Sequence, residues 1–182
     1  DVYTSAMGEE MGWGACRTFL REARDHGLLD SVSPSIYLIH PVVSRFLGQE
    51  LARQLHPSQV HSLQGEFGRI YADVSDYFLE NLSSESAESA VTGVLAEEAN
   101  LLHALELAQA QENWKQVQMD LQPLAQVYKM QERLLEMHRL RGRLLDRLGV
   151  EPAQAERKGS LDLWLCLQGT EVSDAIGRQE FD

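Results

Sequence analysis

Residues 36–51 read IYLIHPVVSRFLGQEL. A short β-type run meets a His-Pro pair, and a helical pattern begins at once. The ring of Pro41 pushes His40 out of the α region and suits the first position of a helix, so His40 is expected as the last extended residue. Side chains alternate along a strand, which places Ile36, Leu38 and His40 on one face and Tyr37 and Ile39 on the other. The imidazole thus lies where a strand ends and a helix N-terminus, favourable to anions, begins. Two readings stand: a half-buried histidine satisfied by a backbone carbonyl, or a residue that meets an anion.

Upstream of this corner, Ala15, Phe19, Leu20 and Ala23 recur at helical spacing between Trp13 and His26, and Gly27 stands where a C-cap glycine belongs. LLDSV then reads as a strand, SPS as a turn and IYLI as the returning strand. Helix followed by β-hairpin is the second half of a winged helix. Arg17, Arg21 and Arg24 form a row on the helix, either a phosphate-contacting face or a solvated one interleaved with Glu22 and Asp25. GWG at 12–14 lacks a preceding strand and a third glycine, and is read as a turn.

Downstream, Val42, Val43, Phe46, Leu47, Leu51 and Leu55 form one apolar stripe, ended by His56-Pro57-Ser58. Pro57 opens a long helix whose stripe runs through Val60, Leu63, Phe67, Ile70, Val74, Phe78 and Leu82. Tyr71 and Tyr77 broaden it, and such a stripe reads as core. SSESAESAVTG at 83–93 is small, polar and acidic, and reads as a linker. Every later segment is helical in pattern: Leu95 to Ala108, a turn at QEN 111–113, and Trp114 to Tyr128, which Pro123 is expected to kink or interrupt. Leu134 to Leu148 follows, closed by Gly149 to Pro152, and then Leu161 to Ile176. The expected fold is mainly α: a partial winged helix with a short β-hairpin, then an α-helical bundle or α-solenoid. The parts are 1–56 as the end of a winged-helix domain, 57–92 as connecting helix and linker, and 93–182 as a helical repeat region. A tetratricopeptide register with Gly169 at the consensus glycine leaves its turn near Gly177 to Phe181 a few residues late, so any such repeat is degenerate.

Composition narrows the function classes. The 182 residues carry a formal charge of −12, and residues 61–100 account for −7 of it. A chain so acidic repels polyanions, which disfavours nucleic acid as a partner. Cys16 and Cys166 offer neither a CxxC pair nor a disulfide framework, in keeping with a reduced, cytoplasmic protein. No apolar run has membrane-spanning length. The start at Asp1 and the end at GRQEFD suggest a piece of something longer. Catalytic signatures are missing: there is no GxxxxGK[ST], no HExxH and no GxSxG, and neither cysteine has a nearby histidine. His56 and His61 do not stack on one helix face. The EE pairs at 9–10 and 97–98 point to different sides of a helix and form no facing acid-base couple. An enzyme is not expected, nor a metal.

The order helix, LLDSV hairpin, IYLIHPVVSRFLGQEL resembles the end of the winged-helix domain of STAND-type signalling NTPases, the NB-ARC-related class. LAEEANLLHALELAQAQENWKQV at 95–117 is similar to the segment opening the helical repeats of many bacterial members, through Glu97, Glu98, Asn100, Leu101, Ala104, Leu105 and Trp114. The resemblance covers most of residues 15–150. It implies that His40 takes the place of the histidine of the family's MHD motif, which contacts the phosphate of bound ADP, with Ile39 for the methionine and Pro41 for the aspartate. The chain itself then holds no cofactor, ADP or ATP belonging to an upstream NTPase domain, and its partners are that domain or another protein. Two alternatives remain: a free-standing tetratricopeptide-like module binding a partner peptide between helices, and a winged-helix DNA-binding regulator.

Overall fold

The computed structural model describes residues 12–33, 36–149, 151–157 and 159–168. The chain is mainly α with a short antiparallel β-hairpin. In order it forms α1 (Trp13–Asp25), β1 (Leu29–Ser33), β2 (Ile36–Ile39), α2 (Pro41–Gln54), α3 (Pro57–Leu82), α4 (Ala87–Ala96), α5 (Glu98–Ala110), α6 (Trp114–Met130), α7 (Leu134–Leu148) and α8 (Pro152–Arg157). A further helical stretch covers 161–168. Two compact units divide it, Asp1–Phe67 and Gly68–Asp182, and the division falls inside α3.

In the first unit Gly12 precedes α1 as its N-cap and Gly14 lies inside the helix, so GWG opens a helix rather than forming a turn. Gly27 ends α1 at φ +72°, a conformation that glycine adopts without Cβ strain. There its N–H donates to the Arg24 carbonyl at 2.8 Å and that of Leu28 to Ala23 at 2.9 Å, the two bonds of a Schellman end. The hairpin pairs Leu29 with Ile39, Asp30 with Leu38 and Ser31 with Tyr37, and its register shifts between Ser31 and Ser33. Of the SPS turn, positions 34 and 35 lie outside the described residues, as do the EE pair at 9–10 and everything beyond 168, including the Gly169 and Gly177 to Phe181 positions.

The first unit buries little. Among its described residues the buried apolar side chains are Ala23 and Leu29. Helix α2 has no buried residue, and its stripe faces solvent, with Val42 67% and Phe46 57% exposed.

The second unit holds the core. Its buried cluster runs from Phe78 and Leu82 of α3 through Ala90 and Val94 of α4, Leu101 and Leu105 of α5, Val117, Leu124 and Val127 of α6, Leu140 and Leu144 of α7, to Leu163 and Leu167. The stretch read as a linker supplies most of α4 instead. A Cβ on Gly93 would stand 2.5 Å from the Phe78 ring, so the small residues there serve close helix packing. Helix α3 buries Gly68, Ser75, Phe78 and Leu82, a seam rotated by one residue from the apolar stripe over part of its length. Helix α6 runs unbroken through Pro123, which is buried. The turns 111–113 and 131–133 share one geometry, with Glu112 at φ 54° and Glu132 at φ 55°. Among the described residues no helix is long and apolar enough to cross a membrane.

Candidate functional site

His40 stands at the predicted corner. It is extended (φ −56°, ψ 133°), follows β2 directly and is the N-cap of α2. Its backbone N–H donates to the Leu28 carbonyl at 3.3 Å, which ties the corner to the start of the hairpin. The side chain is exposed, and its Nδ1 accepts the Val42 N–H at 3.3 Å. The local partner is therefore a helix amide, not the backbone carbonyl of the half-buried reading. In a neutral ring whose Nδ1 accepts, Nε2 carries the proton and is the nitrogen that the cap does not use. His56 repeats the device: Ser58 N–H donates to its Nδ1 at 3.4 Å, and its own N–H donates to Gln59 Oε1 at 2.9 Å. Two His-Pro dipeptides thus cap two helices; both prolines mark their helix starts in the sequence, whereas the capping bonds of the histidine rings do not show there.

The hairpin and helix on either side of this corner carry exposed apolar side chains. Leu38 and Ile39, on opposite faces of β2, are about half exposed, as are Leu47 and Leu51 of α2. The arginine row on α1 is exposed, and Arg24 donates to the adjacent Asp25 at 2.8 Å, the solvated-face arrangement for that residue.

A groove lies between α5 and α7 in the second unit. Leu102, Leu105, Glu106 and Gln109 form one wall, at the spacing of a single helix face; Leu140, Arg143, Asp146 and Arg147 form the other. Its volume of about 520 Å³ falls in the range of ligand and peptide pockets. The leucines make an apolar floor, and charges of both signs stand on the rim.

The Glu97-Glu98 pair proves to be structural. Tyr71 of α3 donates to Glu97 at 2.7 Å, and Tyr128 of α6 donates to Glu98 at 2.6 Å. Arg133, in the α6–α7 turn, grips Glu98 with two bonds of 2.8 Å and lies 4.5 Å above the Tyr128 ring. These bonds, the one from Arg133 first, hold the Glu98 carboxyl below its ordinary range, and burial with the adjacent carboxylate pushes the Tyr128 hydroxyl up. Sequence spacing placed the two glutamates on different sides of the helix, and each side carries its own tyrosine. The partners themselves are 26 and 30 residues away, beyond the reach of local pattern.

Among the described residues no group of histidine, cysteine and carboxylate side chains is arranged to hold a metal ion. Cys16 and Cys166 are free thiols. Comparison with protein-family models, with characterised proteins and with solved structures finds no match.

Proposed function

We propose that the chain is a non-catalytic regulatory and protein-interaction fragment of a STAND-like signalling NTPase. The first unit is the winged-helix hinge that docks on the nucleotide-binding domain, and the second is a tetratricopeptide-like sensor scaffold. One observation carries this reading: a hairpin and an amphipathic helix whose apolar side chains have almost no core of their own. Surfaces of that kind mark an interface. His40 is exposed and its Nε2 is not used by the cap, so it can donate to a phosphate of ADP held by the facing domain.

Magnitude limits the role of the histidine. A hydrogen bond to a charged group is worth ~1.5–3 kcal/mol, whereas turning a two-state equilibrium from mostly closed to mostly open takes ~5.5 kcal/mol. His40 biases such a switch, and the docked apolar surface supplies the remainder. The coding sequence upstream of Asp1 tests the reading: it should encode GxxxxGK[ST] followed by an acidic Walker-B strand. In that longer protein His40→Ala should speed ADP release about tenfold or more, the equivalent of one such bond. Absence of the motif, or unchanged ADP release, would remove the proposal.

The α5–α7 groove favours a second reading, a free-standing module that takes a partner peptide between helices. Leu102→Glu, at a partly buried position of the groove lining, should then abolish peptide capture while the helical signal of the chain is retained.

A further inference from the structure

Asp120 is the one fully buried carboxylate among the described residues, and the contacts of the Glu98 cluster do not reach it. It lies on α6 where α3 packs. Its Oδ1 accepts the Ser75 hydroxyl at 3.0 Å, and Oδ2 is buried with no hydrogen-bond partner. Beside it the Gln116 amide donates to the Gly68 carbonyl at 2.6 Å, where the missing Cβ of glycine leaves room for the approach. Gly68 and Ser75 therefore bind α3 to α6 through one polar strip whose centre is an under-satisfied carboxyl. An ionised carboxylate needs several donors when water is excluded; a protonated one has an O–H on the orphaned oxygen and needs fewer.

We propose that Asp120 is a proton-operated latch, in which uptake of one proton tightens the seating of α3 on the helical bundle and its loss loosens it. The consequence is a scaffold whose first helix is held more firmly in mildly acidic than in neutral solution. The groups facing the latch are Ser75 and Asp76 on α3 and Gln116 on its own helix. Asp76, a like charge, disfavours ionisation; Ser75 and Gln116 favour it and only partly offset burial, the largest influence. The balance pushes the Asp120 carboxyl up to about 6. No charged side chain of α4, α5 or α7 among the described residues acts on it. The sign follows: the folded value is raised above the unfolded one of 3.8, so the proton-linked stability is full below 3.8 and is lost as pH rises through about 6.

Residue-resolved hydrogen exchange on the intact chain tests the latch, after correction for intrinsic rates. Opening of α3 over 68–82 should be about fourfold more frequent at pH 7.5 than at pH 5.5, the linkage expected for a carboxyl moving between 3.8 and about 6. In Asp120→Asn that ratio should fall to one; an unchanged ratio in the folded variant would overturn the proposal. Should that variant fail to fold, Ser75→Ala serves instead, because loss of a donor to the ionised form should move the Asp120 carbon-13 carboxyl midpoint upward in pH. A wild-type midpoint below 4.5, or one unmoved by Ser75→Ala, would equally overturn it.

Discussion

Glu112 and Glu132 end α5 and α6 in the left-handed region, each at the position where glycine is the usual helix terminator. Their amides close the turns on Gln109 and Lys129, so the conformation is enforced by the helix end. Glycine there removes the Cβ penalty, and Glu112→Gly and Glu132→Gly should each raise stability by about 0.5–1 kcal/mol, read as a higher urea midpoint. His40 and His56 show the same division between what residue patterns disclose and what they hide. The proline after His40 disclosed the strand-to-helix corner, because it restricts one dihedral on each side. The capping bond to Val42 depends on a ring rotamer that no dipeptide specifies. Replacing His40 by alanine should raise amide exchange over 42–46 by the loss of about 1 kcal/mol of local stability, and asparagine, a good N-cap, should restore it.

At the scale of the element, apolar periodicity located most helices, and tertiary contact decided what it missed. Helix α4 lies in a stretch of serine, alanine, glycine and glutamate that reads as a linker by composition. Gly93 is small because the Phe78 ring of α3 approaches there, a cause that resides 15 residues upstream. Gly93→Ala should therefore cost about 1–3 kcal/mol through overpacking, whereas an alanine in a true linker would change nothing measurable in thermal unfolding. The rotated seam of α3 has the same origin: Ser75 and Gly68 face inward because Asp120 and Gln116 meet them. The Glu98 junction binds α5 to the α6–α7 turn, and its acid sensitivity has a definite sign. A carboxyl held below its ordinary 4.5 contributes stability above that value and loses it as pH falls through the depressed one. Glu98→Gln should lower stability by about 1–2 kcal/mol at pH 7 in urea titrations, with the difference from wild type shrinking toward pH 3.

Across the whole molecule the two units differ in kind. The second has a continuous core from Phe78 to Leu167. The first has amphipathic elements in the predicted places, yet their apolar faces remain in solvent. Periodicity discloses that a face is apolar and is silent on what covers it, so the stripe of α2 was legible in the sequence and its exposure was not. His40 could be placed on the same terms, with its backbone context legible and any phosphate it meets lying outside the sequence of this chain. Native-state hydrogen exchange on the 182-residue chain tests the incompleteness of the first unit most directly. Amides of β2 and α2 should exchange through openings far easier than those of α6, by several kcal/mol, as expected of elements with almost no buried apolar contacts. Protection of α2 equal to that of α6 would contradict it, and with it the hinge proposed for these residues.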